Sequence, residues 1–337
     1  MVENSFINSD ELYLASKAQK HINEIITKLN LSLKGQHVLT EAGSAHFIYT
    51  PLISYYAGAD KTFVWIKDSV YGKATDIEKR FYTIIDLLSI DRSRFELAIN
   101  DRPISHVSEA TIVTNLGSVR PLNQDFLSRL KKGAVISYMC ESWELRNIDV
   151  DIDECKLLNI PIAGVWENHP DLLIFDGCGP LSVKLCLEAG LEVYQNKILI
   201  VSEDKFGKVA LDAFSKFGAS FVNIILPSEL KEYDFKSYDF IFIADYSTDI
   251  EIIGQSLISQ IEDFKKVKIV HLCGSVDFDF LKENGIACFP KQNGYPRRMS
   301  KTLAHLGIKP LIDLHAAGLK VGESLYKGIS NPLVQII

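Results

Sequence analysis

The chain has 337 residues, 47% of them hydrophobic and 23% charged, which is enough to bury the cores of two ordinary domains. A formal net charge of −7 argues against nucleic acid or an anionic membrane surface as the main partner. The sequence has no apolar run long enough to span a bilayer, no secretory signal pattern and no metal-ligand spacing. We therefore expect a cytoplasmic protein without a metal, whose six cysteines are buried small hydrophobes.

The first half of the chain alternates strands and helices after an initial helix around residues 10–29. The strands predicted in this half lie at 37–43, 62–68, 95–100, 110–115, 134–139 and 160–165. Such an alternation is typical of a parallel sheet covered by helices on both faces. We expect one α/β domain over residues 1–175.

A helix at about 181–190 leads into a second α/β domain, predicted over residues 176–320. Its predicted strands lie at 198–201, 221–226, 238–245, 268–274, 286–290 and 309–315. A C-terminal helix and tail follow over residues 321–337. The sequence thus predicts two Rossmann- or flavodoxin-like domains with parallel sheets and a cleft between them. Because ligands of such sheets bind at the carboxyl ends of the strands, the residues just after each strand are the candidates for function.

The first turn of the second domain reads S-E-D-K-F-G, residues 202–207, where a phosphate-binding loop would read G-x-G-x-x-G. Only Gly207 is retained, at the third glycine position. Glu203 and Asp204 would favour the dipole of the following helix but would repel a pyrophosphate. Two interpretations stay open. The turn is a structural one with acidic helix caps, or it holds NAD or NADP in an unusual way, with Ser202 and Lys205 contributing.

The first domain offers another possible nucleotide site. Gly43, Ser44 and Ala45 form a small-residue turn before a helix, and Asp68 ends the next strand. Exposed N–H groups at this turn could bind a phosphate and Asp68 a ribose. An ordinary connection is the alternative interpretation.

The densest polar stretch is M-C-E-S-W-E-L-R-N, residues 139–147, directly after a predicted strand. A simple connection would use Gly, Asn or Ser there, whereas this one carries Glu141, Trp143, Glu144 and Arg146. Arg146 could pair bidentately with an anionic group while Trp143 supplies a wall of the site. A surface loop with an internal Glu–Arg pair is the alternative.

Two further groups of polar residues follow neighbouring strands. The stretch V-W-E-N-H-P, residues 165–170, presents Glu167, Asn168 and His169. Asn115 and Arg120 follow the strand at 110–115. We expect these residues at the same edge of the sheet as substrate-binding groups, with His169 as an acid/base candidate; solvated loops are the alternative.

Two stretches resemble the D-isomer-specific 2-hydroxyacid dehydrogenases. They are A-T-I-V-T-N-L-G-S-V-R-P with its continuation to residue 139, and D-I-D-E-C-K-L-L-N-I-P-I-A-G-V at 151–165. The resemblance implies an NAD(P)-dependent oxidoreductase that acts on a small anionic hydroxy or keto compound and forms a homodimer. The family uses an arginine, a histidine and a carboxylate. Cys273 stands at the arginine position and K-Q-N-G-Y-P, residues 291–296, offers no carboxylate, so the chain looks like a divergent member.

The third catalytic position has a match. The stretch D-L-H-A-A-G-L-K resembles the family's strand-to-helix junction and points to His315 as the general acid/base, with Lys320 nearby and Arg146 replacing the missing arginine. Two alternatives keep the fold and drop the redox reaction. One is a lyase or isomerase using Glu141 or Glu144 with His169 or His315. The other is a catalytically silent ligand-binding protein.

Overall fold

A computed structural model describes the backbone of residues 2–337 and the side chains of residues 9–337. The chain forms two compact units. The first runs to Ile174 and also includes Gly307–Ile337, whereas the second is the continuous segment Phe175–Leu306. The division after Ile174 lies one residue from the predicted boundary. Residues 307–320, however, were predicted in the second domain and belong to the first unit.

The strands are β1 His37–Glu41, β2 Lys61–Ile66, β3 Phe95–Ile99, β4 Ile112–Thr114, β5 Val135–Ser137, β6 Ile162–Val165, β7 Lys197–Val201, β8 Phe221–Ile225, β9 Phe240–Ala244, β10 Glu251–Ile253, β11 Lys268–Cys273, β12 Ser275–Val276, β13 Cys288–Phe289 and β14 Val334–Ile336. The α-helices are α1 Val2–Leu29, α2 Thr50–Tyr56, α3 Ala74–Leu87, α4 Ile104–Glu109, α5 Gln124–Leu127, α6 Ile152–Leu157, α7 Cys178–Glu188, α8 Lys205–Lys216, α9 Ile261–Phe264, α10 Phe278–Glu283 and α11 Ile308–Lys327. Short 3-10 helices include Ala45–Tyr49, Ser142–Glu144 and Pro227–Glu232.

The first unit contains a seven-stranded sheet in the order β14-β6-β5-β4-β1-β2-β3. All pairs are parallel except β14, which runs antiparallel to β6. The chain adds β2 and β3 on one side of β1 and β4 to β6 on the other, so the strand order reverses between β1 and β4. Such a reversal is the topological switch point at which α/β sheets bind ligands.

Helix α11 packs closely on this sheet through two glycines. A Cβ at Gly318 would overlap Met139, and a Cβ at Gly322 would lie 2.6 Å from Ile112 Cγ2. Apolar residues at helical spacing, among them Leu311, Ile312 and Leu319, are buried on the same helix. The strand predicted at 309–315 is therefore wrong, because these residues form the first turns of a helix rather than a strand.

The second unit contains a five-stranded parallel sheet in the order β13-β11-β9-β7-β8, and β10 pairs with β12 in a small separate ladder. Its switch point lies between β7 and β9. The strands predicted at 198–201 and 221–226 and the helix between them are confirmed as β7, β8 and α8, which form a βαβ unit. Helix α8 buries Phe206, Gly207, Ala210 and Phe214. Two α/β units with parallel sheets confirm the predicted fold class; the cleft remains a prediction.

Within residues 2–337, no helix combines the length and the apolarity that crossing a bilayer requires. Among the side chains that the structure describes, no group of three or more His, Cys, Asp or Glu residues is arranged to hold a metal ion.

Candidate functional site

The loops that follow β4 and β5 are joined at the carboxyl edge of the first unit's sheet. Leu122 N donates to the Asp149 carbonyl at 2.9 Å, and Asp151 N donates to the Leu122 carbonyl at 3.0 Å. This pairing brings Arg120 Nη1 to 2.7 Å from Asp149 Oδ2. Arg146 Nη1 lies 4.0 Å from the same oxygen. Two predicted substrate-binding residues thus meet at a carboxylate that was not among the predicted site residues.

Glu141 and Glu144 shape the loop that follows β5. The buried Glu141 carboxylate accepts hydrogen bonds from the Trp143 indole N–H and, at 3.1 Å, from Glu167 N. Glu144 Oε1 accepts from Glu141 N at 3.4 Å. The Trp143 side chain remains 53% exposed. Both glutamates therefore hold the loop in place, and their part in catalysis remains a prediction.

The other predicted residues of this edge differ in what they contact. Asn115 is buried, and its Oδ1 accepts from Met139 N at 2.7 Å, so it ties the ends of two strands together. His169 Nδ1 accepts from Asp171 N at 3.2 Å, and its ring meets Trp166 edge-on. Asn168 is exposed. Of these residues, Asn115 has a structural role, whereas Asn168 and His169 lie in a loop.

His315 lies inside α11 in the first unit, not at a strand-to-helix junction of the second. Its ring is 2% exposed, its Nδ1 lies 2.8 Å from Thr50 Oγ1, and it packs against the Phe47 ring. Burial lowers the His315 pKa to about 3, so the ring is neutral near pH 7. Lys320, on the same helix, donates to the Glu323 carboxylate and the Asn30 carbonyl. Both contacts stabilise the first unit.

Glu41, the last residue of β1, was not predicted as a site residue. Its carboxylate is 6% exposed and accepts from Ser118 N in the loop after β4. Burial raises the Glu41 pKa, while the bonds to Ser118 and the charge of Arg120 act in the opposite direction. Glu41 thus joins the two loops at the first unit's switch point. Glu41 could have been identified from the sequence, because it is a carboxylate at the carboxyl end of a buried strand.

In the alternative nucleotide site of the first unit, Asp68 was predicted to bind a ribose, but its carboxylate contacts other parts of the protein. Asp68 Oδ1 accepts from Ala74 N at 2.9 Å, and Oδ2 accepts from Lys73 at 2.9 Å. The bond from the Ala74 N–H is the main cause that lowers the Asp68 pKa to about 2. Asp68 therefore binds the first turn of α3 and its neighbouring lysine.

At the second unit's switch point the turn 202–207 is held by its own side chains. Asp204 caps α8 by accepting from Phe206 N at 2.7 Å. Its other oxygen accepts from Tyr246 N at 2.6 Å and from Ser247 N at 3.0 Å, in the loop after β9. Asp245 accepts in return from Glu203 N at 2.6 Å. The prediction that the acids of this turn act as helix caps is confirmed for Asp204.

The three predicted cofactor-binding residues, Ser202, Lys205 and Gly207, lie within this turn. A Cβ at Gly207 would overlap Ser202, so this glycine permits the close helix–strand contact that the third glycine of a phosphate-binding loop provides. Ser202 Oγ accepts from Gly207 N at 3.2 Å. Lys205 Nζ lies 4.2 Å from the centre of the Phe175 ring. The packing function of the motif is therefore retained, and cofactor binding by these three residues remains a prediction.

No family model matches the chain, and no curated protein matches it. Among solved structures, a dipicolinate synthase chain from Bacillus halodurans is similar, with 12% identity and a TM-score of 0.54 over 89% of this chain and 100% of that chain. The corresponding dipicolinate synthase chain from Bacillus subtilis has 14% identity and a TM-score of 0.52 over 88% and 97%. The D-lactate dehydrogenase of Escherichia coli has 15% identity and a TM-score of 0.48 over 81% and 99%.

These similarities concern the fold. The chain shares the two-domain α/β fold of the two dipicolinate synthase chains.

Proposed function

We propose that this oxidoreductase-like protein binds a small hydroxy or keto compound through the compound's anionic group, at the carboxyl edge of the first unit's sheet. The observation that carries the proposal is the meeting of Arg120 and Arg146 at one oxygen of Asp149. Because two guanidinium groups share one carboxylate, the arrangement can bind a second anion in a bidentate manner.

The surroundings of the arginine pair suit a small organic ligand. A guanidinium has five N–H donors, so the bond from Arg120 Nη1 to Asp149 leaves donors on that side chain for a carboxylate. Trp143 lies in the same loop as Arg146 and exposes about half of its surface, and we expect its ring to supply an apolar wall for the ligand. Such a combination of one charged anchor and one aromatic face is common in sites for small anionic metabolites.

For a reaction without redox chemistry, His169 is the acid/base candidate that the geometry favours. Its Nδ1 accepts a backbone N–H from Asp171, which places the proton of the neutral ring on Nε2. The pKa of His315 is lowered to about 3 by burial, so His315 suits proton exchange near neutral pH poorly.

A second candidate is an NAD(P)-linked oxidoreductase acting on the same anionic compound. The fold and the close packing of Gly207 on Ser202 favour it, and Ser202, Lys205 and Gly207 would hold NAD or NADP. When bound, the nicotinamide supplies hydride transfer. As a set, however, the turn residues do not fit a pyrophosphate in the usual mode, because Asp204 engages the backbone N–H groups there.

Isothermal titration calorimetry with lactate and pyruvate tests the primary proposal. We expect binding to the wild type, a loss of affinity of about tenfold or more in Arg120→Gln and in Arg146→Gln, and no binding of the neutral analogue lactamide. Arg129→Gln is the matched control, since Arg129 pairs with Asp125 on an exposed surface. Wild-type affinity in both arginine variants would refute the proposal. The second candidate is tested separately. NAD⁺ or NADP⁺ is added to the protein with lactate, and the absorbance of the reduced nicotinamide is followed.

A further inference from the structure

The backbone N–H groups at the start of α8 are bound by the protein itself. Glu203 N donates to Asp245, Asp204 N donates to Ser202 Oγ, Phe206 N donates to Asp204, and Gly207 N donates to Ser202 Oγ. In a phosphate-binding loop, the N–H groups of this turn point at the phosphate. Here four of them already have acceptors within the protein.

Asp204 also binds the neighbouring loop. Its Oδ2 accepts from Tyr246 N at 2.6 Å and from Ser247 N at 3.0 Å, while Oδ1 accepts from Phe206 N at 2.7 Å. One carboxylate therefore receives N–H groups from both sides of the switch point. A bound phosphate would receive N–H groups in the same manner.

Aromatic rings close the same turn. The Phe206 and Tyr246 rings stack at 5.2 Å with an angle of 9° between their planes, and Phe175 meets Phe206 edge-on at 4.9 Å. Phe206 and Tyr246 are buried. The stack joins the first turn of α8 to the loop after β9, the two segments that Asp204 also links.

We infer that Asp204 closes the second unit's switch point to dinucleotides, its carboxylate standing where a phosphate would bind. The motif spacing assigns Asp204 to the second glycine position, the one that lets the backbone approach a pyrophosphate. A pyrophosphate at this turn would displace three N–H bonds and meet the carboxylates of Asp204 and Asp245 at close range. The inference is independent of the proposed anion site, which lies in the other unit.

The experiment restores the missing glycines. Asp204→Gly restores the second, and Ser202→Gly combined with Asp204→Gly gives the full G-x-G-x-x-G sequence together with Gly207. Asp204→Asn removes the charge but keeps a good N-cap, so it is expected to fold even where glycine weakens α8. Asp212→Asn, an exposed carboxylate on the same helix, is the matched control. Binding of NAD⁺ and of NADP⁺ is measured by calorimetry, with circular dichroism to check folding.

We expect the wild type and Asp212→Asn to bind neither dinucleotide at millimolar concentration, and the glycine variants to bind at least one about tenfold more tightly or better. Asp204→Asn is expected to fall between them. Tight binding of NAD⁺ or NADP⁺ by the wild type would overturn the inference and support the redox candidate. Equal affinities in the wild type and all folded Asp204 variants would also overturn it. Binding of lactate or pyruvate to the arginine pair is unaffected by either result.

Discussion

The two units close their switch points in the same way but surround them with different charges. In the first unit Glu41, at the end of β1, accepts from Ser118 N in the loop after β4. In the second unit Asp204, just after β7, accepts from Tyr246 N and Ser247 N in the loop after β9. In both units a carboxylate near the C-terminal end of the first strand accepts from backbone N–H groups in the loop that follows the neighbouring strand on the other side of the switch point.

The difference lies in the groups beside each carboxylate. Arg120, whose charge acts on Glu41, forms an ion pair with Asp149, and Arg146 lies next to the same carboxylate. Beside Asp204 the structure places Asp245 and the stacked rings of Phe206 and Tyr246. The first arrangement suits an anion and the second repels one, so a shared topology does not by itself decide which unit binds a ligand.

Among the substitutions that test this comparison, Asp204→Ala is expected to change the free energy of unfolding most. The substitution removes the cap of α8 and leaves the Tyr246 and Ser247 N–H groups without this acceptor. A lost cap costs about 1 kcal/mol and each abandoned N–H about 1 kcal/mol, so we expect a loss of about 3 kcal/mol in the free energy of unfolding. Urea denaturation measures it.

Asp212→Ala provides the control for that measurement. Asp212 lies on the same helix, is exposed and pairs with Lys216, so its removal is expected to change the free energy of unfolding by at most about 0.5 kcal/mol. If Asp204→Ala is as mild as Asp212→Ala, the carboxylate does not hold the second switch point together.

A smaller effect on stability is expected at acidic pH, because each unit contains a buried histidine whose pKa is lowered. Burial lowers the pKa of His315 to about 3 and that of His271 to about 4, from 6.5. Between these values and 6.5 the unfolded rings bind protons that the folded rings do not, so stability falls as the pH falls. Each ring contributes up to about 1.4 kcal/mol per pH unit, or about 2 kcal/mol at pH 5.

Urea titrations at pH 7 and pH 5 on His315→Gln and His271→Gln check this expectation. Each variant is expected to lose less stability than the wild type between the two pH values, whatever its stability at pH 7. If a variant loses as much stability as the wild type between pH 7 and pH 5, the histidine that it replaces is not held neutral by burial.

The smallest effect is expected for Glu41→Gln. Burial raises the Glu41 pKa in the folded protein, so the ionised carboxylate destabilises the fold as the pH rises above the unfolded value of 4.5. Glutamine keeps an oxygen that can accept from Ser118 N. We expect a gain in stability at neutral pH that disappears below pH 4.5, measured by thermal unfolding across that range.

Glu96→Gln is the contrasting control, because the bond from His106 and the bond from Lys61 lower the Glu96 pKa. Ionisation of Glu96 stabilises the fold, so its substitution is expected to lower stability at neutral pH. Changes of the same sign in Glu41→Gln and Glu96→Gln would contradict the assignment of burial as the dominant influence on Glu41.

Much of the fold was predictable because it depends on local periodicity. The bounds of strands β7 and β8 were predicted to within one residue, since apolar strands on either side of the amphipathic helix α8 are distinct in sequence. The segment from Lys309 to His315 was predicted as a strand, since a short apolar run does not distinguish a strand from the start of a helix. Its assignment to the first unit depends on packing against distant strands.

The candidate site was predictable only in part. Arg120 and Arg146 were singled out because each follows a strand, and the structure brings both to Asp149. Glu41 and Asp245 were missed, because what distinguishes them is a bond to a residue far along the chain. The position of His315 was wrong because the resemblance was carried over to a segment that folds differently here.

The interrupted first unit has a consequence for synthesis on the ribosome. Helix α11 and strand β14 follow the second unit in the chain but complete the sheet of the first unit, whereas the second unit is one uninterrupted segment. Since translation proceeds from the N-terminus, the second unit has its full sequence available while the first still lacks an edge strand and a covering helix. The nascent first unit therefore stays incomplete until residues 307–337 have emerged.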